Sequence, residues 1–353
     1  MSLKTERKKV LHRVSWVDIC RGIAIILVLY GHIFTNDNQR YLIYAFHMPL
    51  FFFISGLVFR PIDTKPIKSV FTKYFKQLLI PYYLFALLTY AFALISGTAG
   101  HGLGDVAYQL YGIVYGNGNN GMLGYNVVLW FLPCLFITKF SFALITRYAI
   151  QTKTILLSLL GTATLGSLVA YFLPWLKLPL GFETALTALS FFGVGYITMK
   201  HKKEIDVFIK QKMLLTITTT LFTALVATIN YRLSGSQIDL RINHLGNVVL
   251  FYLGAFGGIV TWMAVSRMIA RNAFLEYIGR HSLIIFAWHN VLFTDLKNVI
   301  NLILDHGTIN TLRYLMPTFY VGIATSIILF MRMIIIRLKG SAIFRFYPSI
   351  NAN

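Results

Sequence analysis

Ten stretches of about 20 mostly apolar residues limit what this chain can fold into. They run over approximately 15–34, 41–59, 74–96, 125–146, 154–173, 183–199, 212–230, 246–266, 281–303 and 313–337. About 20 such residues carry a helix across the hydrocarbon core of a bilayer. The runs do not show the short alternating strands of a transmembrane barrel. Composition points the same way. Hydrophobic residues make up 57% of the chain and charged residues 12%, about half the charged share of a soluble domain. Too few polar side chains remain to cover a water-facing surface. The expected fold is all-α, a polytopic integral membrane bundle of about ten helices.

The surviving charges orient the bundle. Lys and Arg number 32 against 12 Asp and Glu. With the N-terminus placed in the cytoplasm, 25 of the cations fall in the tails and inner loops. Six fall outside: Arg40, Lys177, Arg232, Arg241, Lys297 and Arg313; Arg21 lies within a helix. Such asymmetry predicts cytoplasmic termini and an even number of spans. In so apolar a chain the basic excess reads as topology and contact with anionic headgroups, not nucleic acid. The predicted organisation is a basic tail over 1–13, a ten-helix domain over 14–338 and a cytoplasmic tail over 339–353. The predicted location is the plasma membrane. No cleavable signal peptide is expected, and Cys20 and Cys134 form no CxxC. The longest outer loop, 97–124, holds no Lys or Arg and is rich in Gly, Asn and Tyr. It reads first as a flexible polar loop, and second as a surface that suits carbohydrate.

Ionisable groups inside spans are costly and tend to be functional. Asp18, Arg21 and His32 share the first helix. Eleven residues turn a helix about 20° past three full turns, so Arg21 and His32 share a face about 16 Å apart along the axis. Asp18 is three residues from Arg21, within ion-pair reach. The plainer reading makes Asp18 and Arg21 a neutralising pair at the inner end, with His32 at the outer boundary. His47 opens the second helix, followed by Pro49 and by Ser55-Gly56, small enough for close helix packing. Lys73 and Lys76 read as topology signals, or as a clamp for an anionic cytoplasmic substrate. Trp130 reads as an interfacial anchor. Glu183 is the one acid of the sixth span, and Ser282 and His289 lie in the ninth. The histidines are scattered over separate helices and no H-E-x-x-H, Walker loop or G-x-S-x-G motif occurs, so no metal is expected.

Taken in order, these segments resemble the membrane-bound acyltransferase-3 family. Trp16-Val-Asp18-Ile-Cys-Arg21-Gly22, ten further residues and Gly31-His32 are similar to its Arg-x10-His signature. Met48-Pro-Leu-Phe-Phe-Phe-Ile-Ser55-Gly56, Trp130-Phe131-Leu132-Pro133 and the late Ser282…His289 match in kind and order, over about 14–335. His47, Leu79-Ile80-Pro81-Tyr82 and the Leu-Trp-Phe-Leu-Pro run look most like the fucose 4-O-acetylase-type branch. One departure stands out: Lys73 and Lys76 occupy the place of an R-x-x-R pair, which keeps the charge and loses the bidentate fork.

The resemblance implies transfer of an acyl group, usually acetyl, from cytoplasmic acetyl-CoA to a hydroxyl of a surface polysaccharide or its lipid-linked precursor. Acetyl-CoA is then a substrate, and no cofactor is bound. His32 is the candidate general base, Asp18 orients Arg21, and Arg21 with the lysines holds the donor. His47, Ser55, Trp130, Glu183, Ser282 and His289 are candidate substrate-binding residues, with His289 the rival base. A bundle of this kind would join a basic inner mouth to a neutral outer one. The alternative is a glycan exporter without chemistry.

Overall fold

The computed structural model describes residues 14–33, 37–61, 65–149, 151–202, 212–303 and 315–339. The basic tail 1–13, Lys203, Lys210, Arg313 and Arg345 lie outside them. The helices in chain order are α1 Ser15–Ile33, α2 Asp37–Tyr44, α3 His47–Leu57, α4 Ile67–Tyr74, α5 Ile80–Ile95, α6 Leu103–Tyr115 and α7 Phe131–Tyr148. There follow α8 Thr152–Phe172, α9 Phe182–Lys200, α10 Lys212–Ser234, α11 Val248–Ile269, α12 Ala273–Arg280, α13 Ser282–Ile303 and α14 Met316–Lys339. Among the described residues, nine helical stretches are long and apolar enough to cross a membrane. The chain is a polytopic helical membrane protein. The expected ninth span, 281–303, forms the 22-residue α13 but is not among those nine. His289, Asn290, Asp295, Lys297 and Asn298 make it the most polar of the ten expected spans.

α1 is the hub, packing on α2, α3, α11, α12, α13 and α14. Two glycine pairs bring backbones together at its flanks. A methyl on Gly22 would lie 2.2 Å from the Leu275 carbonyl oxygen, and one on Gly279 1.9 Å from that of Asp18. Gly56 and Gly195 play the same part between α3 and α9, against the carbonyls of Phe192 and Phe53. Small residues at crossings of this kind let helices approach without side-chain intervention. α8 and α10 are largely exposed on the outside of the bundle, where lipid would lie.

Two expected spans are not simple rods. The second is interrupted at Ala45–Phe46, where Phe46 leaves helical geometry (φ −143°). Pro49 has no N–H to offer the Ala45 carbonyl, so the turn opens there. His47 Nδ1 instead donates to the Ile43 carbonyl at 2.9 Å, closing the end of α2. In the third, Phe75–Leu79 widens to a π-turn in which the Ile80 N–H reaches the Phe75 carbonyl. Pro81 follows directly, and a missing donor of this kind is a usual cause of such widening.

The segment 97–124 is more ordered than its composition predicts. It contains α6, ended by Gly116 in the left-handed region (φ +67°). Beyond it the chain folds inward, and Asn117, Asn119 and Asn126 are buried. Asn126 Nδ2 donates to Thr89 Oγ1 at 3.2 Å and to the Ala287 carbonyl at 2.8 Å. Tertiary amide bonds of this sort, satisfying buried polar groups, turn a Gly- and Asn-rich stretch into fixed structure.

Candidate active site

Loop-to-loop bonds sort the helix ends into two groups. At one end Ser15 donates to the Ala270 carbonyl, Arg147 to that of Lys65 and Lys200 to Thr152 Oγ1. At the other, Tyr115 donates to the Lys177 carbonyl, Lys177 to that of Ile242 and Arg241 to that of Gly118. Partial burial pushes the Lys177 ammonium below its ordinary value.

The basic end holds the Asp18–Arg21 ion pair at 3.3 Å, with Asp18 8% exposed. Lys73 and Lys76 are exposed, on α4 and on the π-turn. Ser282 begins α13 three residues after Gly279, which touches Asp18, and so belongs to this end. Lys139, counted by the charge pattern among the inner cations, lies within α7, inside the expected span 125–146. Its ammonium sits 4.8 Å from the centre of the buried Tyr74 ring, in the field of Lys73 and Arg21. Phe71 holds α4 against α7 by edge-on contacts with Phe136 and Phe140 at 5.4 and 5.5 Å.

The opposite end contains a cavity of about 260 Å³. His32, His47 and Trp130 line it, with Arg40, Tyr44, Asp239 and Arg241. His32 sits at the last turn of α1, its ring centre 5.2 Å from that of His289 and 6.3 Å from that of Tyr44. The Tyr44 ring is in turn 4.7 Å from His47. His289 is fully buried behind His32. Its Nδ1 faces the carbonyls of Phe286 at 2.8 Å and Ile285 at 3.3 Å. Two carbonyl acceptors require that Nδ1 carry the hydrogen. Nε2 is then a bare lone pair, and among the described residues it has no hydrogen-bond partner.

The remaining sequence candidates lie elsewhere. Ser55 Oγ donates to the Phe51 carbonyl of its own helix at 2.9 Å. Glu183, 1% exposed, accepts from Asn117 Nδ2 and the Leu178 N–H, both at 3.0 Å, and does not line the cavity. Among the described residues, no three His, Cys, Asp or Glu gather as a metal site would require.

The helical bundle thus holds an imidazole pair in its core at one end and a cation cluster at the other. The sequence matches the acyltransferase-domain family, acyltransferase-3, over residues 14–335. The chain belongs to that family. Membrane acyltransfer is therefore its activity at the family level. No curated protein and no solved structure matches it.

Sequence reasoning passed over four cavity residues, Arg40, Tyr44, Asp239 and Arg241. Two of them had left a trace: Arg40 and Arg241 are among the six cations placed on the side that the positive-inside tendency depletes. They also charge the cavity end, where a neutral mouth was expected. Lys139 left none, because a lysine near a predicted helix end looks like any other topology signal.

Proposed function

We propose that this acyltransferase moves an acetyl group from acetyl-CoA to a hydroxyl of a cell-surface glycan or its lipid-linked precursor. The basic end faces the cytoplasm of a plasma-membrane-embedded protein, and the cavity receives the acceptor. Likeness to the fucose 4-O-acetylase-type branch, and the charge bias of the loops, support that assignment. The observation that carries the reading is the His32–His289 pair. His32 stands on the cavity wall, and the only bare ring nitrogen of buried His289 lies beside it.

In this mechanism the acceptor hydroxyl gives its proton to a His32 ring nitrogen as its oxygen attacks the thioester carbonyl. The carbon–sulfur bond then breaks, and the leaving thiolate takes up a proton to become free CoA thiol. A small approach of the two rings, whose centres stand 5.2 Å apart, lets His289 Nε2 accept the other His32 N–H, which fixes the tautomer that presents a lone pair to the cavity. Base assistance of this kind contributes about 10²–10⁴ in rate. At the far end Arg21, oriented by Asp18, and Lys73, Lys76 and Lys139 hold the donor phosphates. The uncharged pantetheine arm spans the roughly 16 Å along α1 between Arg21 and His32.

Membranes containing the protein should release free thiol from acetyl-CoA only when acceptor glycan is supplied. Surface glycan from cells with the gene should carry acetyl groups that cells lacking it do not. Acceptor movement across the membrane with no thiol release would sink this reading in favour of an exporter.

A further inference from the structure

Among the described side chains that line the cavity, positive charge exceeds negative, and Asp239 is the one acid. Its carboxylate is spent on Arg241: Oδ2 accepts from the guanidinium at 2.9 Å and Oδ1 from the backbone N–H at 3.0 Å. Arg241 is further held by the Gly118 carbonyl at 2.7 Å. The second cation, Arg40, makes no ion pair with any carboxylate whose side chain is described. Its guanidinium carbon lies 4.7 Å over the Tyr44 ring, and one terminal nitrogen donates to the Tyr44 hydroxyl at 2.8 Å. Its Nε is buried without a partner.

A buried donor left unmade is costly, and more so when charged. A guanidinium held on an aromatic face presents its remaining N–H groups in a fixed fork that matches carboxylate and phosphate. The donor does not supply that anion. Its phosphates belong at the basic end, and the pantetheine arm that would approach His32 carries no charge. A cavity of about 260 Å³ lies below the usual range of ligand pockets and admits one sugar unit.

We propose that the acceptor is an acidic sugar whose carboxylate or phosphate is bound by Arg40 while a neighbouring hydroxyl meets His32. The proposal rests on the acyl-transfer reading for the identity of the cavity as the acceptor site, and it sharpens that reading to a substrate class.

The test is equilibrium binding to the full-length protein in detergent or nanodiscs, with glucose, glucuronate and glucose 6-phosphate as probes. At least one acidic probe should bind about tenfold or more tightly than glucose, the size expected of one charge-assisted contact. Arg40→Gln should erase the difference, and Arg40→Lys should keep part of it. Glucuronate winning assigns a carboxylate, and glucose 6-phosphate winning assigns a phosphate. Equal binding of all three by the wild-type protein would overturn the proposal, as would a preference that survives Arg40→Gln. The wild-type comparison stands even if the variant fails to fold. Binding reads independently of turnover. Acidic preference without thiol release breaks only the acyl-transfer reading, and thiol release without preference breaks only this one.

Discussion

The two ends of the bundle carry similar charges in opposite manners. At the basic end Lys73 and Lys76 stand exposed on flexible stems, and Lys139 is steadied by one aromatic ring. At the cavity end many polar groups are tied down. Arg241 is fixed by Asp239 and Gly118, Asn117 by Leu178 and Glu183, His289 by two carbonyls. Among that end's described groups, His289 Nε2 and Arg40 Nε are buried without partners, as are Asn126 Oδ1 and Gln237 Oε1. The contrast separates two kinds of recognition. Flexible cations attract a polyanion wherever its phosphates lie, at the cost of side-chain entropy. A pinned frame with a few open valences selects geometry, which chemistry at a thioester carbonyl demands.

The largest effect should come from the imidazole pair. His32→Ala removes one ring from a cavity wall, so insertion and folding should survive while turnover falls about 10²-fold or more. His32→Gln should not rescue it, because an amide keeps a hydrogen bond but takes no proton near pH 7. In the wild type the rate should fall as acid protonates the base, and the variants should lose that limb. His289→Ala also empties core volume, so its melting temperature must be measured beside its turnover. Near-normal turnover in His32→Ala beside a folded but inactive His289→Ala would move the base to His289.

The basic end should respond more weakly, and its two kinds of lysine should respond differently. Lys139→Ala should raise the donor KM by about tenfold, as loss of one charge-assisted contact would. The Lys73→Ala, Lys76→Ala double variant should raise it about threefold, within the range of exposed ion pairs. That smaller effect should vanish near 1 M salt, where the Debye length is about 3 Å, whereas the Lys139 effect should persist. Unchanged donor KM in both would leave these lysines as topology signals and erase the contrast between the ends.

How much of this was legible beforehand follows from the range over which each signal acts. The phase of Arg21 and His32 is a property of one helix, so spacing alone places them on one face. The Asp18–Arg21 pair is equally local. His32 and His289 lie 257 positions apart, and only the order of motifs shared with a family linked them. Arg40 and Arg241 line one cavity although about 200 positions separate them in the sequence, which no local pattern encodes. The interior position of Lys139 depends on α7 running unbroken to Tyr148. α6 was hidden because Gly, Asn and Tyr lower helix propensity, and its order comes from tertiary bonds such as that of Tyr115 to the Lys177 carbonyl.

The smallest effect on turnover is expected at Glu183, and it probes the comparison from the pinned side. Its two oxygens each accept one hydrogen bond at 3.0 Å, from Asn117 and from the Leu178 N–H. Glu183→Gln keeps the side chain's shape but turns an NH2 group toward one of those donors. One bond is lost and a buried N–H is left unmade, a cost of about 1–3 kcal/mol. The melting temperature should therefore drop by several degrees, roughly 2–4 °C per kcal/mol for a chain of this general size. Turnover at a temperature where the variant is folded should stay within about twofold, since a cost of that kind falls on the frame and not on the reacting atoms. The opposite pattern, an unchanged melting temperature with a raised acceptor KM, would place Glu183 among the groups that touch substrate. Pinned groups at the cavity end would then be taking part in recognition, and the division between frame and open valences would have to be redrawn.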